Sequence, residues 1–222
     1  GAGAAGQAIA RLLFAYGIKT VVLCDTTGAV YEGRTENMNP YKESLAKVSN
    51  RQKEKGGLAQ IIKGKDIFIG VSAPGSLTQE MIKSMSKDPV IMAMANPVPE
   101  ILPDEAKAAG ARIVCTGRSD FPNQVNNLLA FPGIFRGALD VRAKEINDAM
   151  KIAAANAIAS LISESELNET NIIASPLDPR VAPTVAAAVA KAALESGVAR
   201  RTDITPEDVA NHTRELLGHT VA

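Results

Sequence analysis

The sequence predicts an α/β protein in which a doubly wound parallel sheet is followed by a helical segment. Short apolar runs alternate with helical patterns in the first half of the chain, as expected for parallel strands that helices cover. From about Asn127 the strand-like runs stop and only helical patterns follow. We therefore expect a sheet-containing domain over residues 1–126 and a helical segment over 127–222.

Local signals mark each element of the sheet domain. The first helix runs to Tyr16, because its apolar residues recur at helical spacing, and Gly17 ends it. Helices are also expected over 41–50 and 58–62, after Thr78 as N-cap, and from Pro103. The turn over 26–34 is expected to include a short hairpin. Four apolar runs predict buried parallel strands: Lys19–Asp25, Asp66–Val71, Pro89–Ala95 and Ala111–Thr116.

The second half of the chain reads as a set of packed helices. Apolar and alanine residues recur at helical spacing over 128–140, 144–163 and 181–195. A last helix is expected to begin at Thr205, because a threonine cap is followed there by Pro206 at the first turn.

A glycine-rich turn opens the chain as G-x-G-x-x-G, with Gly1, Gly3 and Gly6 around Ala4 and Ala5. In a dinucleotide site such a turn lets the backbone approach a pyrophosphate at the N-terminus of the next helix. Asp25 lies 19 residues after Gly6, close to the roughly 20-residue spacing of the carboxylate that holds the adenosine ribose. The alternative is an ordinary turn, helix and strand that ends on an acid. The strand that should precede Gly1 is absent, so we expect the chain to begin inside a βαβ unit.

Polar and turn residues collect at the carboxyl ends of the predicted strands, where ligands bind in open parallel sheets. The positions are Asp25, the turn Ser72-Ala73-Pro74-Gly75, Asn96-Pro97 and Thr116-Gly117. Asn96, Asn126 and Asn127 are unusual among them, because an amide can bind a hydroxy-acid or a nicotinamide ribose without a pH-dependent charge. The alternative is that Asn96 caps a turn and that the asparagine pair caps a helix.

Composition excludes several classes of function. The 222 residues include 24 basic and 24 acidic ones, which argues against nucleic acid or an anionic membrane as the main partner. No apolar stretch approaches the roughly 20 residues of a membrane span. Cys24 and Cys115 are widely separated, so we expect two buried thiols in a reducing cytoplasm and no metal site in this chain. No catalytic triad or acid pair suggests itself.

Four stretches resemble the C-terminal part of bacterial malic enzymes, and together the resemblance covers essentially the whole chain. They are the glycine turn, the turn over 71–75, Met94–Glu100 and, most specifically, Gln124–Asp140. The resemblance implies a Rossmann-like NAD-binding fold. It also implies oxidation of L-malate by hydride transfer to NAD or NADP, followed by decarboxylation to pyruvate on Mg²⁺ or Mn²⁺.

The resemblance also implies a role for each of these residues. Gly1, Gly3, Ala4, Ala5 and Gly6 would hold the pyrophosphate and Asp25 the adenosine ribose, while Ser72, Ala73, Pro74 and Gly75 would line the cofactor channel. Asn96 and Asn126 would contact the nicotinamide end, and Asn96, Asn126 and Asn127 the malate. Since no basic residue directly follows Asp25, we expect NAD to be preferred over NADP.

In malic enzymes the catalytic lysine and tyrosine and the metal-binding acids precede the glycine turn, and none can be assigned here. We therefore expect a missing N-terminal substrate domain, on which residues 127–222 would pack, an inactive fragment, and a homodimer. Two alternatives stay open: a non-catalytic nucleotide-binding module, and another Rossmann dehydrogenase of the amino-acid or shikimate type.

Overall fold

A computed structural model describes residues 1–218 and divides the chain into two compact units. The first unit spans Gly1–Pro122 and the second begins at Asn123. The expected division lay between residues 126 and 127, so the observed one falls slightly earlier. The predicted fold class is confirmed: the first unit is α/β with a parallel sheet, and the second is helical.

The first unit contains five helices and five strands among its described residues. In chain order they are α1 (Ala4–Tyr16), β1 (Cys24–Asp25), β2 (Gly28–Ala29), α2 (Pro40–Ala46), α3 (Leu58–Ile61), β3 (Ile67–Gly70), α4 (Gln79–Lys83), β4 (Val90–Ala93), α5 (Pro103–Ala108) and β5 (Ile113–Thr116).

Strands β3, β4 and β5 form a parallel sheet in that order. Gly70 pairs with Ala93, and Ala93 with Thr116, so the three strands end level with one another. Their carboxyl ends therefore present the following loops along a single edge. The three apolar runs predicted here are confirmed as strands, each observed over four residues within its predicted bounds.

The remaining predicted strand, Lys19–Asp25, is the first along the chain, and the prediction is wrong in its extent and its pairing. Only Cys24–Asp25 is a strand, and it pairs antiparallel with Gly28–Ala29. The short hairpin expected within 26–34 therefore begins two residues before that range. Before this strand, the Leu23 carbonyl accepts from the Val30 N–H, which extends the hairpin by one pair, and the Val21 carbonyl accepts from the Asn50 N–H. An apolar run becomes a strand only where a neighbour supplies the ladder hydrogen bonds.

The second unit is built around α8. Its described elements are a short 3₁₀ helix (Asn127–Leu129), α6 (Phe131–Asp140), α7 (Asp148–Ala159), α8 (Val181–Glu195) and α9 (Pro206–Leu216). Helix α8 packs against α6, α7 and α9. Its valines and alanines are fully buried at its centre, including Val185, Ala186 and Val189.

Two glycines let α6 approach α8 closely. A Cβ added at Gly137 would lie 2.4 Å from the carbonyl oxygen of Ala186, and one at Gly133 would lie 2.6 Å from Cβ of Val185. Both distances are shorter than van der Waals contact. Glycine is therefore required at these positions by the neighbouring helix and not by the backbone conformation.

Over residues 1–218, no helix combines the length and the apolar character that crossing a bilayer requires.

Candidate functional site

The glycine turn and the start of α1 form the centre of the candidate site. Gly3 is the N-cap residue of α1 and has extended backbone angles. The first N–H groups of a helix have no intrahelical acceptor, and they lie at the positive end of the helix dipole. Gln7 stabilises the turn from inside the helix, because its side-chain amide donates to the Ala2 carbonyl at 2.9 Å.

The three glycines of the turn differ in what surrounds them. A Cβ added at Gly6 would lie 1.8 Å from the Gly1 carbonyl oxygen, and one at Gly1 would lie 3.0 Å from Cβ of Ser72. A Cβ added at Gly3 would have no atom within 4 Å. Packing thus requires glycine at position 6 and leaves little room for a side chain at position 1, whereas Gly3 borders open space.

A cavity of about 630 Å³ opens beside the turn. The predicted residues Gly3, Ala4 and Asp25 line it together. The other lining residues are Ala2, Gln7, Ala8, Arg11, Asn39, Tyr41 and Lys42. Its walls therefore combine a helix N-terminus, an exposed aromatic ring and cationic side chains, which suits a ligand that carries both phosphate and an aromatic base.

Asp25 is held by two cations at the edge of this cavity. The Arg34 guanidinium donates to both carboxylate oxygens, one of them at 3.0 Å, and Lys42 Nζ donates to Oδ2 at 2.7 Å. The Thr27 backbone N–H donates to Oδ1 at 2.9 Å. All three charged side chains of the cluster are at most 10% exposed. The carboxylate on which the NAD preference rested is therefore neutralised, and the cluster carries one net positive charge.

Burial by itself would raise the pKa of Asp25, but hydrogen bonds from Arg34 and Lys42 outweigh it and hold that pKa well below its ordinary value. The same contact raises the pKa of the Arg34 guanidinium. Asp25 is thus an anion at any pH near neutrality, and it acts as an acceptor and not as a proton donor.

The loops after β3 and β4 carry the next predicted residues. Ser72, Ala73, Pro74 and Gly75 are exposed in the first loop, and Asn96 is exposed in the second, before a cis peptide bond to Pro97. Glu100 is hydrogen-bonded to the backbone of both loops. Its carboxylate accepts from the backbone N–H of Ser72 at 2.8 Å and from that of Ala95 at 3.0 Å.

The last two predicted residues begin the helical unit. Asn126 is partly buried, and its side-chain oxygen accepts from the Leu128 backbone N–H at 2.9 Å, which makes it the cap of the 3₁₀ helix. Asn127 is exposed in the first position of that helix. The alternative that these asparagines cap a helix thus holds for the side-chain oxygen of Asn126. The substrate-binding roles of both residues stay predictions.

Sequence reasoning missed several residues of this region. Arg34 and Lys42 bind Asp25 across 9 and 17 residues, a separation that no periodicity reveals. The signal for Glu100 was Gly70, since a glycine inside a strand marks the close approach of another group. Tyr41 and Arg11 were read only as helix positions.

Metal ligands and reactive thiols are not evident in the described part of the chain. Over residues 1–218, no three His, Cys, Asp or Glu side chains are grouped so that they could hold a metal ion. Burial raises the pKa of the Cys24 and Cys115 thiols to about 11. Both are therefore protonated near neutral pH. Cys115 is buried as expected, whereas Cys24 is only partly buried.

Comparison with known proteins gives consistent matches. Residues 1–194 match the protein family described as "Malic enzyme, NAD binding domain". The bifunctional malic/malolactic enzyme of Bacillus subtilis is 61% identical over 97% of this chain and 52% of its own length. The NADP-dependent malic enzyme of Rhizobium meliloti is 49% identical over 90% of this chain and 28% of its own length.

Solved structures show the same similarity. The crystal structure of a malic enzyme from Pyrococcus horikoshii Ot3 matches with a TM-score of 0.90 and 47% identity, over 98% of this chain and 52% of that one. The chain thus spans about half the length of this structure and of the Bacillus subtilis relative.

Proposed function

Because the chain belongs to the malic enzyme family through its NAD-binding domain, we propose that it is the nucleotide-binding part of an enzyme that converts L-malate to pyruvate and CO₂. The observation that carries this proposal is the cavity beside the N-terminus of α1, where Gly3, Asp25 and Lys42 face the same space. When bound, NAD or NADP supplies the acceptor for the hydride that leaves C2 of malate.

The residues present fit a dinucleotide. The backbone N–H groups of Ala4, Ala5 and Gly6 would donate to the diphosphate, which the dipole of α1 also favours. The open space at Gly3 lets the diphosphate reach the backbone. Asp25 and Lys42 would bind the adenosine ribose at the other wall of the cavity. These residues bind and orient the nucleotide, and none of them transfers a proton.

The charge at Asp25 leads us to propose that both NAD and NADP are accepted. The expected preference for NAD assumed that an unpaired Asp25 carboxylate would repel the 2′-phosphate of NADP. Because Arg34 and Lys42 pair with Asp25, this repulsion is removed. Lysine and arginine are the usual ligands of a ribose phosphate, because they offer charge-assisted hydrogen bonds. The NADP-dependent relative supports this wider specificity.

The divalent metal and the catalytic acid and base are proposed to lie in the part of the relatives that this chain does not span. Asn96, Asn126 and Asn127 would contribute amides to the nicotinamide end and to malate, as the family resemblance implies. The chain alone is then a binding unit without turnover. The term extended polypeptide is used below for this chain together with the part of its relatives that it does not span.

An apolar stripe in the helical unit supports a partner domain. Leu128, Phe131, Phe135 and Leu139 are each at least half exposed and follow one another at near-helical spacing. The Phe131 and Phe135 rings stack at 5.8 Å. Large exposed apolar patches mark interfaces, and we propose that the substrate domain of the extended polypeptide covers this one. The homodimer and the cytoplasmic location stay predictions.

The direct test compares the chain with the extended polypeptide. We expect the chain alone to bind NADH weakly and to form no NADH from L-malate, NAD and Mn²⁺, whereas the extended polypeptide should form it. Lactate should be measured as well, because one relative is named a bifunctional malic/malolactic enzyme.

Each contrary result has its own meaning. Malate oxidation by the chain alone would contradict the division of roles between the two parts. Nucleotide binding without malate oxidation by the extended polypeptide would favour the non-catalytic binding module. The amino-acid and shikimate-type dehydrogenases are set aside, because the family that matches is a different one.

A further inference from the structure

Glu100 is the most deeply buried charged side chain of the first unit. It is 0% exposed, although it follows a proline-rich loop where an exposed side chain would be expected. Its donors among residues 1–218 are the two backbone N–H groups described above and the Ser72 hydroxyl at 3.3 Å. Burying a carboxylate is unfavourable unless such donors satisfy it.

The end of β3 is shaped around this carboxylate. A Cβ added at Gly70 would lie 2.4 Å from Cδ of Glu100, and 2.6 and 2.7 Å from its two oxygens. The carboxyl group thus occupies the space that a side chain at position 70 would need. A glycine weakens a strand unless another group needs the space beside it. The close approach of the Glu100 carboxylate therefore accounts for the glycine at position 70.

The contacts of Glu100 connect the parts of the site that carry the predicted residues. Ser72 begins the loop after β3, against which Gly1 of the phosphate-binding turn packs. Ala95 directly precedes Asn96 in the loop after β4. One carboxylate therefore sets the spacing of two loops at the edge where the sheet would receive a ligand.

We propose that Glu100 is a positioning residue for the nicotinamide ring of the nucleotide. It acts through the backbone of Ser72 and Ala95 and does not touch the ligand itself. The inference rests on the proposed NAD(P) site. It adds that the adenosine half, which the Asp25 cluster holds, is bound independently of Glu100.

The test uses two ligands that differ only in the nicotinamide ring, which ADP-ribose lacks. NADH and ADP-ribose are titrated against wild type and Glu100→Gln, in which one acceptor oxygen becomes a donor that faces an N–H group. We expect NADH affinity to fall about tenfold, the size of one lost hydrogen bond to a charged group. ADP-ribose affinity should change less than about twofold.

Two further variants make the test specific. Gly70→Ala displaces the same carboxylate without altering it and should reproduce the split between the two ligands. Glu105→Gln makes the same chemical change at an exposed residue of α5 and should leave both affinities unchanged. Circular dichroism at the titration temperature checks that each variant is folded.

The contrary outcomes are separable. Equal losses for NADH and ADP-ribose, or an unchanged NADH affinity in Glu100→Gln, would overturn the positioning role while leaving the nucleotide site intact. Failure of both Glu100→Gln and Gly70→Ala to fold would assign Glu100 to folding and overturn the role as well. A wild-type chain that binds neither ligand would overturn the site itself, and the inference with it.

Discussion

Among the described residues, the first unit buries several charged side chains, whereas the second buries mainly small apolar side chains and one carboxylate, Asp140. In the first, Asp25 and Glu100 are carboxylates with little or no exposure, and each fixes segments that are distant in sequence. In the second, Gly133 and Gly137 bring α6 against α8, whose valines and alanines fill the contact. The helical unit depends mainly on close packing around α8, although the buried Asp140 also pairs with Arg136 and His212, while the sheet unit must also hold loops that border a cavity.

This difference indicates where ligand chemistry is located. Buried ion pairs are a poor means of stabilisation, because desolvation offsets most of their attraction. A buried carboxylate without a cation is costlier still. The first unit nevertheless places the ion pairs of Asp25 beside the cavity and the buried carboxylate of Glu100 beneath the strand-end loops. We therefore infer that the buried carboxylates Asp25 and Glu100 mark the ligand site. The following predictions compare the effects of substitutions at this site with the effect of a substitution in the core of the helical unit.

The largest effect is expected for Asp25→Ala. It leaves Arg34 and Lys42 buried without their common partner, and breaking such a pair lowers the free energy of unfolding by about 4 kcal/mol. The matched control is Asp120→Ala, which removes an exposed partner of Arg118 and should cost less than about 1 kcal/mol. Urea unfolding measures both, and similar values for the two variants would contradict the account.

A glycine in the helical unit provides the second largest effect. Gly137→Ala places a methyl group against the Ala186 carbonyl, and we expect it to lower the free energy of unfolding by about 3 kcal/mol. In an unconstrained helix the same change stabilises by about 1 kcal/mol. The sign of the change in urea unfolding therefore decides whether α6 and α8 are in close contact.

Acid should affect the first unit through Asp25. Its pKa is lowered in the folded state, so its stabilising contribution is present above the ordinary carboxyl pKa and is lost as pH falls toward the folded value. We expect the free energy of unfolding of wild type to decrease below about pH 4. In Asp25→Asn this decrease should be smaller. Parallel acid profiles for the two proteins would contradict the assigned ion pairs.

The charge of Lys42 should affect the affinity for NADPH more than the affinity for NADH. We expect Lys42→Ala to raise the Kd for NADPH about tenfold, since it removes a charge-assisted contact to the 2′-phosphate, and to change the Kd for NADH less than about threefold. Lys47→Ala changes the same charge at an exposed residue just after α2 and is the control. Equal losses for both nucleotides would remove Lys42 from the specificity site.

Elements with strong local signals were predicted well. Helix α8 has the bounds expected from its periodicity, and Thr205 caps α9 through a hydrogen bond to the Asp208 N–H. The run over 19–23 failed as a strand, since pairing depends on a neighbour and not on the run itself. Asp25 was placed beside the glycine turn by spacing alone, but its neutralisation by Arg34 and Lys42 depends on tertiary contacts. The burial of Glu100 is likewise invisible to local patterns.

Gly3 offers the most direct measurement of the nucleotide site. Its surroundings are open, so Gly3→Ala should change the free energy of unfolding by less than about 1 kcal/mol. A bound diphosphate would lie where the new methyl group projects. We therefore expect NADH affinity to fall at least about tenfold with stability preserved. Equal NADH binding by wild type and Gly3→Ala, or none by wild type, would contradict the central claim.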